Sequence, residues 1–178
     1  MRNLHTCLAA LFVSAAVATT AWAADQSATM KVALLDVSSV MPAGMAGYGM
    51  MGQGMMGNMM HPGMMGPGMM MGGMMSIRTD KASVKTGTVT FEVTNWSRSV
   101  LHEVLVVGVD NPFAPLPYDY VQARVPEEQI KIVGEAADLQ PSASKTLEIA
   151  LAPGSYLLIC NVAGHYAAGM VTALTVAQ

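Results

Sequence analysis

Near the C-terminal end of the sequence a thiol, an imidazole and a thioether recur at even spacing. They are Cys160, His165 and Met170, with four residues between each pair, directly after the apolar run Tyr156 to Ile159. A second imidazole, His102, stands just before another apolar run, Val104 to Val109. Thiolate and thioether are soft donors suited to Cu(I), and imidazole suits both copper oxidation states. One Cys, two His and a weak axial Met make up the donor set of a type-1 copper centre. A trigonal plane with a long axial bond suits neither oxidation state fully, so such a site exchanges one electron with little rearrangement. The competing reading makes Cys160 a small buried hydrophobe, as unpaired cysteines often are. The flanking His165 and Met170 favour the metal.

A second group of soft donors lies upstream. From Met41 to Met75 the chain is almost entirely Met and Gly, interrupted by Pro42, Pro62 and Pro67. Doublets recur at Met50-Met51, Met55-Met56, Met59-Met60, Met64-Met65 and Met69-Met70, with His61 among them. An apolar helical stripe is the ordinary reading of such spacing, but this much Gly and three Pro work against a helix. Core filling is the other ordinary use of Met. Fifteen methionines on a Gly-rich tether are too many for a small core, and exposed they form a sticky patch. Clustered thioethers that wrap Cu(I) or Ag(I) account for the composition better.

The rest of the chain must position these groups. Arg2, the apolar run Leu8 to Val17 and Ala21-Trp22-Ala23 read as a cleaved secretory signal over residues 1–23, with no membrane anchor. About 150 residues then remain, 24–178, enough for one domain with a real core, interrupted by the insertion 41–75. In that mature chain Cys160 is the only cysteine, so no internal disulfide forms in an oxidising compartment. A formal net charge of −3 without a basic cluster argues against nucleic acid and anionic membrane surfaces.

Outside the insertion the pattern is all-β. Met30 to Val37 reads as a first strand and Ser76 to Val84 as a weak one, followed by a turn at Lys85–Gly87. Thr88 to Thr94 alternates cleanly, with Val89, Phe91 and Val93 facing a core. Asn95 to Val100 is a polar loop, and Leu101 to Val109 is a strand buried on both faces. Pro112, Pro115 and Pro117 open an irregular excursion with a short helix around Glu127 to Ile132. Thr146 to Leu151, a turn at Ala152–Gly154, Tyr156 to Cys160 and Val171 to Val176 complete the set. Short strands separated by turn signals predict a Greek-key β-sandwich or barrel, with a long flexible Met/Gly-rich loop after the first strand. Antiparallel succession puts the connection after the first strand, the Asn95–Leu101 loop and the Cys160–Met170 loop at one end. His102 is thereby brought to Cys160, and the Met-rich loop emerges at the same end.

With these residues in view the chain resembles the cupredoxins, from about Met30 to the C-terminus outside the insertion. Its Cys-x4-His-x4-Met loop is similar to that of the rusticyanin, auracyanin and sulfocyanin branch. The resemblance implies an eight-stranded sandwich with one type-1 copper, held equatorially by His102, Cys160 and His165 and axially by Met170. Two departures stand out. Glu103 occupies the position after the first ligand His, where many members carry Asn or Ser; its N–H still reaches the sulfur, while its carboxylate lowers the potential. The Met-rich insertion resembles instead the periplasmic cupredoxins linked to copper tolerance.

The expected function is that of an exported, periplasmic copper protein cycling Cu(I) and Cu(II) in copper handling and tolerance. Further Cu(I) would be taken on the loop by Met50, Met51, Met55, Met56, Met59, Met60, His61, Met64, Met65, Met69 and Met70. The alternative is a periplasmic electron carrier serving a redox partner such as a cytochrome. The expected chain is a monomer without nucleic-acid partners or a membrane span. It is not an enzyme beyond slow Cu(I) oxidation: His61, His102 and His165 are too few for a multicopper oxidase, and one cysteine is too few for a binuclear centre. Asn95-Trp96-Ser97 matches a glycosylation sequon, a pattern common by chance, and Trp96 is read as an exposed loop residue in preference to one that covers the copper end.

Overall fold

The computed structural model describes residues 27–39 and 75–178. The leader 1–23 and the Met/Gly-rich loop, apart from Met75, lie outside the described residues. Among the described residues nine strands are formed: β1 Ala28–Leu35, β2 Ser76–Thr79, β3 Ser83–Lys85, β4 Gly87–Asn95, β5 His102–Val109, β6 Lys131–Leu139, β7 Ser144–Leu151, β8 Gly154–Ile159 and β9 Val171–Ala177. They build two sheets, ordered β2-β1-β4-β7 and β3-β9-β8-β5-β6, that face each other as a Greek-key β-sandwich.

Alternation decides what each strand buries. On β4, Val89, Phe91 and Val93 are fully buried between the sheets, each contributing about 2 kcal/mol of apolar transfer. Thr88, Thr90, Glu92 and Thr94 point away. On β5 both faces are apolar and both are covered. Val104 and Val106 join the inter-sheet core with Met30, Phe91 and Leu158. Leu105 and Val107 meet Val125, Leu157 and Ile159 in a second cluster on the outer face. The excursion between β5 and β6 covers that face with Leu116, Tyr118 and Ile130.

Several elements differ from the sequence expectation. Ser76 to Val84 is two strands in different sheets, because the chain breaks at Asp80: its carboxylate takes the Lys31 N–H (2.8 Å) and its own N–H bonds the Lys31 carbonyl (3.2 Å). The expected helix around Glu127 to Ile132 shrinks to a 3-10 turn, Glu127–Gln129, ended by extended Ile130. Residues 131–139 form a strand that composition conceals, with Gly134, Ala136, Ala137 and Asp138 among its residues. Gly134 is required there, since a Cβ would stand 2.3 Å from Ile149 Cδ1 of the facing sheet. Met75, the last residue of the Met-rich stretch, packs against the main core rather than belonging to a tether. Trp96 is half-buried against Ala33 and Leu35 rather than exposed.

The strand directions put the interesting loops at one end. β1 and β4 run parallel, with Leu34 opposite Asn95, so they finish together. β5 and β8 run antiparallel, with Leu105 opposite Ile159, so the start of β5 meets the end of β8. Leu35 pairs with Ser76, which returns the chain after the Met-rich stretch at that same end. At the far end Thr86 Oγ1 donates to the Leu151 carbonyl at 3.0 Å, tying the two predicted turns together.

Candidate metal centre

His102 opens β5 and Cys160 follows β8, two paired strands of the five-stranded sheet. His165 is delivered by a loop that its own backbone closes. His165 N–H bonds the Val162 carbonyl (2.9 Å), Ala168 N–H bonds Gly164 (2.9 Å) and Met170 N–H bonds His165 (3.1 Å). Cys160 N–H then bonds the Met170 carbonyl (3.1 Å), so the two ends of the loop lie together. Gly164 (φ 84°) and Gly169 (φ 100°) supply left-handed turns on either side of the imidazole.

The three side chains converge. Cys160 Sγ lies 3.3 Å from His165 Nδ1 and 3.8 Å from His102 Nδ1, and the two Nδ1 atoms are 3.1 Å apart. Cys160 and His102 are fully buried, and His165 is 8% exposed. Met170 is fully buried in the same core cluster as Cys160. Among the described residues this is the group of His, Cys, Asp and Glu donors close enough to share a metal.

Electrostatics match a metal better than a proton network. Burial, then the neighbouring His165, lowers the His102 pKa to about 4, and burial lowers that of His165 as well. Both imidazoles are therefore neutral at pH 7, with lone pairs free to donate. Burial pushes the Cys160 thiol up to about 11, against the pull of N–H groups of Glu103 (3.5 Å) and Val162 directed at its sulfur. The N–H groups aimed at this sulfur would stabilise the thiolate, the form that binds a metal. One shared proton can bridge the two Nδ1 atoms, but it leaves His102 Nε2 buried without a partner whichever tautomer forms. Two neutral imidazoles and one sulfur supported by N–H donors fit a copper ion, and His102, Cys160 and His165 would hold it.

The residues around this cluster were not legible as functional. Asn95, fully buried, donates from Nδ2 to the carbonyls of Val100 (2.9 Å), Leu139 (2.9 Å) and Gln140 (3.2 Å). Its Oδ1 accepts the Ser97 N–H at 2.9 Å. It thereby joins the two sheets and shapes the loop leading to His102. Asn161 works similarly on the other side, bonding both N–H and C=O of Val125 (2.8 and 2.9 Å) and Glu127 Oε1 (3.1 Å). Asp36 holds Ser97 Oγ at 2.6 Å, and that hydroxyl accepts the N–H of Val100 at 2.8 Å. Burial raises the Asp36 pKa, but hydrogen bonds from Ser97, Ser38 and Ser39 outweigh it and the carboxyl is held low. The one available cue is that Asn and Asp bond backbone groups where strands end in tight loops.

Glu103 is placed as expected, with its N–H on the sulfur. Its own carboxyl is raised by burial and by Glu135. The loop donors Met50, Met51, Met55, Met56, Met59, Met60, His61, Met64, Met65, Met69 and Met70 lie outside the described residues. No described helix is long and apolar enough to cross a membrane.

No protein-family model matches the chain, and no curated protein matches it significantly. Solved structures do. A structure of substituted rusticyanins is 15% identical with a TM-score of 0.51, over 85% of this chain and 77% of its own. Rusticyanin from Thiobacillus ferrooxidans is also 15% identical, with a TM-score of 0.49 over the same shares. Dithionite-reduced auracyanin from the photosynthetic bacterium Roseiflexus castenholzii is 30% identical with a TM-score of 0.44, over 56% of this chain and 87% of its own.

Proposed function

We propose that the chain, whose sandwich has the cupredoxin fold, is an exported type-1 copper protein of the periplasm that serves copper handling and tolerance. The observation that carries the copper reading is the convergence of His102 Nδ1, His165 Nδ1 and Cys160 Sγ. Bound there, copper supplies one-electron exchange between Cu(I) and Cu(II). The chain's own residues do the rest. Burial keeps both imidazoles unprotonated, and the N–H groups of Glu103 and Val162 stabilise sulfur once its proton is released. The closed 160–170 loop and the Asn95 bonds hold the donors in place, so little has to move when the charge changes. Met170, buried at the end of the same loop, would be the fourth residue to hold the copper.

Copper handling is supported by where the Met-rich stretch meets the fold. Ser39 lies in the turn that Asp36 ties to Ser97, and Ser76 pairs with Leu35. Both flanks therefore adjoin the loop that delivers His102. Thioethers need no deprotonation to bind Cu(I), so capture on the stretch and oxidation at the buried site form one sequence. Deleting residues 41–74, sparing core-packed Met75, tests this in the host. Copper sensitivity should rise and Cu(I) stoichiometry should fall, with the visible band retained. Unchanged tolerance refutes the handling role.

The second reading, a periplasmic electron carrier, is favoured by the completeness of the buried cluster without any residue of the Met-rich stretch. Both readings require an electron acceptor.

A further inference from the structure

We propose that Asp36 is the fixed negative charge of the copper centre, a positioning residue that clamps the loop delivering His102 and lowers the reduction potential by favouring the more positive metal. The inference rests on the type-1 copper reading and adds to it the residue that biases the site toward one oxidation state.

Asp36 follows β1, and four donors converge on its carboxylate. Ser97 Oγ donates to Oδ2 at 2.6 Å. Oδ1 accepts Ser38 Oγ at 2.7 Å, the Ser38 N–H at 2.8 Å and Ser39 Oγ at 3.2 Å. Among the described residues no Lys or Arg forms an ion pair with it. A carboxylate so surrounded by donors stays ionised. The hydroxyls extend its hold to the backbone. Ser97, fully buried, accepts the N–H groups of Ser99 (3.2 Å) and Val100 (2.8 Å) on the same oxygen that donates to Asp36. Ser38 Oγ does likewise for the Arg98 N–H at 3.0 Å. Three consecutive N–H groups, 98 to 100, are thus oriented through one carboxylate, and His102 follows two residues later.

Position makes this charge matter. Burial lowers both imidazole pKa values, and at both the Asp36 carboxylate pulls the other way. It favours added positive charge on His102 and His165 alike, and a metal ion shared by those rings is such a charge. On the sulfur side the charges disagree: beyond burial, Glu103 raises the thiol pKa while Arg124 lowers it. Among the described residues no cation opposes Asp36 at either imidazole. Cu(II) carries one unit of charge more than Cu(I), so a fixed carboxylate stabilises the oxidised site more. Asp36 is half-buried, so solvent weakens its field without cancelling it.

The test compares two substitutions, by urea denaturation without copper and by voltammetry with it. Asp36→Asn keeps an oxygen for the serine hydroxyls but removes the charge. Ser97→Ala cuts the tie to the His102 loop but keeps the charge. Both should lower the urea midpoint. Asp36→Asn should also shift the ratio of Cu(II) to Cu(I) affinities at least about threefold toward Cu(I). At about 59 mV per tenfold for one electron, that is a rise in potential of roughly 30 mV or more, and Ser97→Ala should show less. Val37→Lys places a cation next to Asp36 in sequence, at a side chain 72% exposed, and should raise the potential with the clamp intact. That variant decides the matter if Asp36→Asn does not fold. An unmoved potential in Asp36→Asn, or in Val37→Lys where it alone folds, overturns the inference. An equal rise in Ser97→Ala also overturns it, leaving Asp36 a structural tie. A missing visible copper band in the unsubstituted protein defeats the copper reading itself, whereas a normal band with an unmoved potential defeats only the role of Asp36.

Discussion

Truncating Asn95 probes the link between fold and site. Its carboxamide satisfies the buried carbonyls of Val100 and Leu139, reaches Gln140, and accepts the Ser97 N–H. Asn95→Ala removes the bonds to the Val100 and Leu139 carbonyls and to the Ser97 N–H, while the Gln140 carbonyl keeps the Ala143 N–H. Each unpaired buried group costs about 1–3 kcal/mol, and partial relaxation of the 95–101 loop brings the expected total to about 3–5 kcal/mol. That is a large share of the roughly 5–15 kcal/mol stability of an ordinary domain. Urea denaturation of the copper-free protein measures it directly, and a thermal scan should show a fall of roughly 10–15 °C. Copper affinity should weaken roughly ten- to hundredfold as well, because the loop that aims His102 loses its tie to Leu139. Asn95→Asp gives no rescue, since a carboxylate sets acceptors against carbonyls. A cost below about 1 kcal/mol, or an Asp variant as stable as the original, would refute the reasoning.

Further outcomes follow from the buried charges. The folded-state pKa of His102, about 4, lies below its unfolded value of 6.5, so the unfolded chain takes up protons first as pH falls. Copper-free protein should be fully stabilised above about pH 6.5 and lose up to about 3 kcal/mol toward pH 4, with His165 acting in the same direction. A flat denaturation midpoint between pH 7 and 4.5 contradicts this. Because the thiol is protonated and both imidazoles are neutral at pH 7, copper uptake should release about one proton per site, measurable with a pH indicator. Release of two or more would place a proton on an imidazole. Glu103→Gln should raise the reduction potential by roughly tens of millivolts, because it removes the carboxylate of the residue whose backbone N–H reaches the sulfur. Voltammetry showing a lower potential would reverse that assignment.

The donor set was legible because its chemistry is local: Cys160, His165 and Met170 share one loop, and strand direction alone brings His102 to them. The clean alternation of β4 and the double burial of β5 were equally readable. What stayed hidden depended on tertiary partners. Residues 131–139 look unlike a strand because Gly134 makes room for Ile149 across the sandwich. The break at Asp80 depends on its bonds to Lys31, distant in sequence. Asn95 reads as a sequon until its carboxamide is seen joining two sheets.

The central claim is that one sulfur and two imidazoles from distant segments hold a single copper. Titrating the copper-free mature protein with Cu(II) while recording the visible spectrum tests it most directly. The account predicts an intense thiolate-to-copper band that saturates at one equivalent for the buried site and disappears in Cys160→Ser. A protein that stays colourless, or a band that survives loss of the thiol, would contradict it.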